Sequence, residues 1–113
     1  MEMNSIRNEY IDLDDALSRI GGNMSLYKRL LGRFVDGNLI EELELALERG
    51  DMEEATRQAH SLKGVSANLS LAKIRSLSVD LEQLLKDNAD YSSCLNELKQ
   101  AYTMTVDMIN ELQ

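Results

Sequence analysis

A histidine, a lysine and a glycine lie close together in the segment Ala59-His60-Ser61-Leu62-Lys63-Gly64. An unperturbed imidazole, with a pKa of about 6.5, is mostly neutral near pH 7 and keeps a lone pair that can attack phosphorus. A phosphorylated ring would gain roughly two negative charges, which Lys63 is placed to offset. A glycine inside a helix costs roughly 1 kcal/mol relative to alanine, so Gly64 is expected to serve a purpose that needs a missing side chain.

The helical pattern around His60 predicts that its imidazole faces outward. At about 100° per residue, the residues that must face the core fill one arc, and His60 lies roughly 130° from the centre of that arc. Gly64 lies nearly opposite the core, Arg57 lies one turn before His60, and Lys63 lies on the flank nearer the core. We therefore predict an exposed imidazole in a basic patch, with room at Gly64 for another protein's surface. The core-facing residues are Met52, Ala55, Ala59, Leu62, Ser66 and Leu69.

Two helices are predicted before this segment. The first runs from about Asp12 to Ile20 and ends at Gly21-Gly22, because glycine after a periodic run usually ends a helix. Asn23 is a suitable cap for the second helix, which we expect to run from Met24 to Arg49 as one long, kinked helix. Gly32, Gly37 and Asn38 weaken the apolar pattern in the middle of this segment, and the pattern resumes at Leu39, Ile40, Leu43 and Leu47.

The helix that carries His60 is the third of five. Gly50-Asp51 marks its start, because Asp51 followed by Glu54 has the spacing of a capping box, and it should run to about Leu69. Ser70 is expected to break the chain and to cap a fourth helix. A polar turn at 87–90 then leads into a fifth helix with a nearly continuous apolar stripe. The stripe consists of Tyr91, Leu95, Leu98, Tyr102, Thr105, Ile109 and Leu112.

Composition favours an all-α fold. The chain has 113 residues, no proline and six glycines, which is typical of long helices and of one domain spanning residues 1–113. Short connections make consecutive helices antiparallel neighbours. We therefore expect an up-down four-helix bundle with a short additional N-terminal helix.

Charge and hydropathy limit the partners. The net charge of −8 and the absence of a basic cluster argue against nucleic acid and against an anionic membrane surface. No apolar run approaches the roughly 20 residues of a membrane span, and the first five residues lack a signal-peptide pattern. A cytoplasmic monomer is expected. The single cysteine, Cys94, is expected to pack in the fold.

The segment His60-Ser61-Leu62-Lys63-Gly64 resembles the His-x-Leu-Lys-Gly signature of histidine-containing phosphotransfer (HPt) domains. The resemblance extends over roughly residues 10 to 110. The surrounding features that carry it are Gly21-Gly22, Phe34, Gly50-Asp51, Ala59, Ser66-Ala67-Asn68-Leu69 and Leu81-Glu82.

This resemblance implies a phosphoryl carrier. His60 would accept a phosphoryl group from the aspartyl phosphate of a response-regulator receiver domain and pass it to another receiver, in a relay that includes a hybrid sensor histidine kinase. The chain would need no cofactor of its own, because the partner receiver supplies Mg²⁺. Lys63 and Arg57 would lie near the phosphate. The docking face would include Thr56, Arg57, Gly64 and Ala67, with part of the second helix.

One position departs from the family pattern. HPt domains usually have Gly-Ala after the leucine that matches Leu69, whereas this chain has Ser70-Leu71. Serine resists the left-handed backbone that glycine accepts, so the turn between the third and fourth helices is expected to differ. Because the turn lies more than two helical turns from His60, we expect no effect on function.

Three other functions compete with a carrier. An acidic helical bundle can act as an interaction module without phosphate. A small hydrolase with His60 as general base would need a nucleophile and an orienting carboxylate nearby, but Ser61 lies on another face and Asp80 and Glu82 lie on another helix. A histidine-kinase core would have His-Glu at the start of its motif and an ATP-binding domain after it.

Overall fold

The structure is a computed structural model, and it describes residues 9–113. The first five residues, on which the signal-peptide prediction rests, lie outside the described residues. Within them the fold is all-helical, as predicted, and none of the helices there is long and apolar enough to cross a membrane. The helices are α1 (Leu13–Arg19), α2 (Met24–Asp36), α3 (Leu39–Glu48), α4 (Met52–Asn68), α5 (Ala72–Lys86) and α6 (Ser92–Leu112).

Two of the predicted helix starts are confirmed by hydrogen bonds. The Asn23 side chain accepts from the backbone N–H of Leu26 at 3.0 Å, and Asp51 accepts from that of Glu54 at 3.1 Å. Each bond satisfies one of the backbone donors that a helix start leaves free. The capping box at Asp51 is only half formed, because the Glu54 carboxylate binds Arg57 instead of reaching back to the cap.

The prediction of one helix from Met24 to Arg49 is wrong. The chain forms α2 and α3 instead, with Gly37-Asn38 between them. The Gly37 N–H donates to the carbonyls of Arg33 and Phe34, and Asn38 has a left-handed backbone with φ of 50°. Asparagine tolerates this conformation better than most residues, so the chain turns there and α3 starts in a new direction.

The predicted capping role of Ser70 is also wrong. The residue at the start of α5 is Leu71, which makes no side-chain cap, and Ser70 has a left-handed backbone with φ of 57°. Two hydrogen bonds hold this turn: Ser70 Oγ donates to Asp15 at 2.6 Å, and the Ser70 carbonyl accepts from the N–H of Asp12 at 2.9 Å. The turn therefore keeps the backbone that glycine would provide and is tied to the start of α1.

Helix α4 lies between the helices that precede and follow it in the chain. Helix α4 packs against α3 and α5, α5 packs against α6, and α2 packs against α6. The Tyr27 hydroxyl of α2 donates to the carbonyl of Leu69 at 2.7 Å and so links α2 to the end of α4. The predicted inner face of α4 is confirmed for Ala55, Ala59, Leu62, Ser66 and Leu69, which are buried, while Met52 is half-buried.

Candidate phosphoacceptor site

His60 lies on the outer face of α4, as predicted. Its side chain is 66% exposed, whereas Ala59 and Leu62 on the same helix are fully buried. The two buried residues fix the rotation of α4 and thereby direct the imidazole away from the core. A macromolecule can therefore reach the ring from outside.

The imidazole is held by a carboxylate from the next helix. Its Nδ1 lies 2.8 Å from Oε2 of Glu82, and the Glu82 side chain is only 7% exposed. An ionised carboxylate can only accept hydrogen bonds, so Nδ1 carries the proton and donates it. In the neutral imidazole the other ring nitrogen, Nε2, is then the unprotonated one and keeps its lone pair.

Two lysines share the Glu82 carboxylate. Lys63 Nζ donates to Oε1 at 2.6 Å, and Lys86 Nζ lies 3.5 Å from Oε2. Burial alone would raise the pKa of Glu82, but the hydrogen bonds from Lys63 and His60 and the nearby lysine charges outweigh it and lower the pKa. Glu82 therefore stays ionised at neutral pH and remains an acceptor for the imidazole.

The position of Glu82 on helix α5 explains why this glutamate is buried. Its inner face contains Ile74, Leu77, Ser78, Leu81 and Leu85, and Glu82 falls on the side of this face that is turned towards α4. A buried carboxylate without partners would be costly, and three cationic or hydrogen-bonding groups compensate for its burial.

Arg57 lies one turn before His60 and is paired on its own helix. Its guanidinium donates to both Glu54 carboxylate oxygens, with Nε to Oε2 at 2.9 Å and an Nη to Oε1 at 2.6 Å. This hydrogen bonding to Glu54 raises the pKa of Arg57 and lowers that of Glu54. The pair is largely exposed, because the Arg57 side chain is 70% accessible.

An open groove of about 630 Å³ lies beside the imidazole. It runs from the start of α4 to the His60–Glu82 pair and has more carboxylates than cations along its walls. The lining residues are Asp51, Glu53, Glu54, Thr56, Arg57, His60 and Glu82.

The face around Gly64 is open. A Cβ built at Gly64 would meet no atom within 4 Å, and the residue is exposed. Thr56 and Ala67 are half-buried on the same helix, and the Thr56 hydroxyl donates to the carbonyl of Met52 at 2.7 Å. The helix surface next to the imidazole is therefore open at Gly64, as the sequence predicts.

Sequence reasoning missed the pairing of His60 with Glu82 and the position of Lys86. Glu82 does lie on another helix, but α4 and α5 pack together and bring its carboxylate to the ring, so the prediction that no orienting carboxylate lies near His60 is wrong. One sequence feature indicates this contact: Glu82 lies on the apolar stripe of α5, directly after the buried Leu81. A glutamate in a core stripe indicates a partner across the interface.

An orienting carboxylate alone does not make a hydrolase. In residues 9–113 the polar contact of the imidazole is with Glu82, and the neighbouring Ser61 is exposed on the helix surface. The same part of the chain contains no group of three or more His, Cys, Asp or Glu residues arranged to hold a metal ion. What the site offers is one reachable ring nitrogen with a fixed tautomer and cations nearby.

Comparison with known proteins identifies one family. The model of the Hpt domain matches residues 33–111, which include His60, Lys63, Gly64 and Glu82. Searches of curated proteins and of solved structures find no match. The matched residues make up well over half of the chain and contain the exposed histidine and its carboxylate. The chain therefore belongs to the Hpt domain family, whose members carry phosphoryl groups on histidine in phosphorelays.

Proposed function

We propose that His60 is the phosphoacceptor of a cytoplasmic phosphorelay and that it reacts through Nε2. The observation that carries this proposal is the exposed imidazole whose Nδ1–H is bonded to the buried carboxylate of Glu82. That bond leaves the lone pair of Nε2 for an incoming phosphorus atom. The donor is the aspartyl phosphate of a response-regulator receiver domain, and a hybrid sensor histidine kinase feeds the relay.

The transfer is a displacement at phosphorus. The Nε2 lone pair forms the N–P bond while the P–O bond to the receiver's aspartate breaks, and the aspartate leaves with that electron pair as a carboxylate. The proton on Nδ1 stays in place, so the phosphorylated ring is a cation next to the Glu82 carboxylate. A cationic ring is a good leaving group, which allows the reverse displacement by another receiver's aspartate.

The chain contributes the nucleophile and the docking face. Phosphoryl transfer depends mainly on in-line positioning and charge neutralisation. The receiver partner supplies Mg²⁺ and most of the reaction site, so the chain acts as a carrier and not as an independent catalyst. Lys63 and Arg57 place positive charge near the phosphoryl group, and Glu82, which is bonded to Lys63, keeps the ring in position.

Docking takes place on the outer face of α4. The open surface at Gly64 admits the receiver, and Thr56 and Ala67 flank it. Contacts of this kind are typically small and transient, which fits a carrier that must leave one receiver before it meets another. A single-domain monomer with α4 displayed on an up-down four-helix bundle is sufficient for this role.

The test is phosphotransfer from a phosphorylated receiver. The wild-type chain should acquire an acid-labile, alkali-stable phosphate, and His60→Gln should abolish it while helix content stays unchanged. Because the chain has one histidine, retained labelling of His60→Gln would assign the phosphate to another residue type. A wild-type chain that remains unlabelled with every receiver of a panel would favour an interaction module without phosphate.

A further inference from the structure

The two lysines at Glu82 are held unequally. Lys63 Nζ lies 2.6 Å from Oε1, and its side chain is 31% exposed. Lys86 Nζ lies 3.5 Å from Oε2, and its side chain is 55% exposed. The shorter and more buried contact is the stronger one, because a charge-assisted hydrogen bond gains strength as water is excluded. Lys63 is therefore committed to the carboxylate, and Lys86 is held loosely.

Lys86 is also close to the reacting ring. Its Nζ contacts the same carboxylate oxygen, Oε2, that accepts the Nδ1–H of His60. The two nitrogens are therefore separated by no more than the sum of those two contacts. A lysine side chain has four rotatable methylene carbons, so the exposed ammonium of Lys86 can move by a few ångströms without any backbone change.

Arg57, which lines the same groove as His60, has another partner. Arg57 donates to both oxygens of Glu54 through a planar, bidentate contact. Moving this guanidinium to a phosphoryl group would break its charge-assisted bonds to both oxygens and leave Glu54 with the hydrogen bond from Gln58 alone. Lys86 breaks one long contact with a carboxylate that keeps Lys63 as its partner.

We propose that Lys86 binds the phosphoryl group directly once His60 carries it, while Lys63 acts through Glu82 as a positioning residue. This assignment rests on the proposed function of His60. When a group with roughly two negative charges is attached to Nε2, Lys86 exchanges its long contact with Oε2 for contact with phosphoryl oxygens. Glu82 keeps Lys63 and the Nδ1–H of the ring, so the orientation of the imidazole is preserved.

The experiment uses a small phosphoryl donor, so that receiver docking plays no part. Phosphoramidate transfers its phosphoryl group to an accessible imidazole as the P–N bond breaks and ammonia leaves. The full chain is labelled in this way as wild type, Lys86→Ala, Lys86→Arg, Lys63→Ala and Lys99→Ala. Lys99→Ala is the matched control, because Lys99 is 46% exposed and pairs with Glu44 at 3.3 Å on another part of the surface.

The first measurement is the titration of the phosphoryl group by ³¹P NMR. A nearby cation favours the dianion, so Lys86→Ala should raise the pKa of the phosphoryl group by about half a unit to one unit, a three- to tenfold increase in proton affinity. Lys86→Arg should restore the wild-type titration, and Lys99→Ala should not change it. A Lys86→Ala titration identical to wild type, or a larger rise in Lys63→Ala, would overturn the proposal.

The second measurement is the imidazole tautomer of the unlabelled chain by ¹⁵N NMR. Lys86→Ala should keep the proton on Nδ1, whereas Lys63→Ala should increase exchange between the two tautomers. A mixed tautomer in Lys86→Ala would give this lysine the positioning role and contradict the assignment.

If receivers fail to label a wild-type chain that phosphoramidate labels, the proposed function fails while the two lysines can still be compared. If phosphoramidate does not label the imidazole of the wild-type chain, both proposals are wrong.

Discussion

The imidazole Nδ1 of His60 and the carboxylate Oε2 of Glu82 lie 2.8 Å apart across the contact between α4 and α5, although the two residues are 22 positions apart in the chain. In the proposed transfer, the exposed member of the pair supplies the reactive atom and the buried member supplies its orientation. This division has a physical basis, because a side chain fixed by packing and by Lys63 can hold an exposed ring in one tautomer.

Glu82→Gln should slow phosphoryl transfer by about tenfold. The amide oxygen can still accept the Nδ1–H, but it lacks the charge that stabilises the imidazolium formed during transfer, a difference of roughly 1.4 kcal/mol between a charge-assisted and a neutral hydrogen bond. The measurement is the rate of transfer from a phosphorylated receiver, with circular dichroism to check the fold.

Glu44→Gln is the control for this change. Glu44 also pairs with a lysine, Lys99 at 3.3 Å, and its removal deletes one carboxylate of the same chemistry away from the site. Transfer by Glu44→Gln should match wild type. If both variants slow transfer equally, the effect comes from the change in net charge, and Glu82 has no orienting role.

Gly64 should separate docking from stability. A Cβ there meets no neighbouring atom, so Gly64→Ala should raise the free energy of unfolding by roughly 0.5–1 kcal/mol through helix propensity alone. Gly64→Leu should fold equally well and lose transfer from a receiver, because its side chain would stand on the proposed docking face. The measurements are urea unfolding and receiver-dependent labelling.

Phosphoramidate provides the internal control for Gly64→Leu. This donor is small enough to pass a leucine side chain, so the variant should still be labelled at the wild-type rate by it. Gly32→Ala, at another helix position where a Cβ meets nothing, should show a similar gain in stability. Loss of labelling with both donors would place the defect in the imidazole and contradict the steric explanation.

Local chemistry predicts the parts of the fold that depend on short-range patterns. The outward direction of His60 follows from the buried positions of Ala59 and Leu62 within one helix, and the start of α4 follows from Asp51. Both involve residues within a few positions of each other, where helix geometry fixes the spacing.

The missed features depend on long-range packing. The Glu82 contact needs the register of α5 against α4, which periodicity within one helix does not determine. The break at Asn38 and the left-handed Ser70 depend on a backbone conformation that residues other than glycine adopt infrequently. Ser70 is held there by Asp12 and Asp15 of a distant segment, so its own sequence neighbours contain no signal for it.

Replacing Ser70 with alanine should lower the free energy of unfolding more than replacing it with glycine. Both substitutions remove the hydroxyl that donates to Asp15, but only glycine accepts φ of 57° without a Cβ penalty. Ser70→Ala should lower the free energy of unfolding by about 1 kcal/mol, and Ser70→Gly should leave it close to wild type. Thermal and urea unfolding measure the difference, and a glycine variant as unstable as the alanine variant would show that the hydroxyl, not the backbone, determines the effect.

The stability of the fold should fall in acid partly through Glu82. Its pKa in the folded chain lies below the ordinary value of 4.5, despite burial, because Lys63 and His60 donate to the carboxylate. The unfolded chain therefore takes up a proton first as the pH falls below about 4.5, and the folded state loses the stabilisation progressively until the folded pKa is passed. Above that range the contribution is complete and independent of pH.

Glu82→Gln should consequently flatten the dependence of the unfolding free energy on pH between about 5 and 3, measured by urea unfolding at each pH. Glu54→Gln is the comparison, because hydrogen bonds from Arg57 and Gln58 also lower the pKa of Glu54, but its pair lies at the surface, where water and salt weaken it. It should flatten the curve less. A Glu82→Gln curve parallel to wild type would mean that the carboxylate is equally ionised in both states, and the buried network would then make no contribution to acid stability.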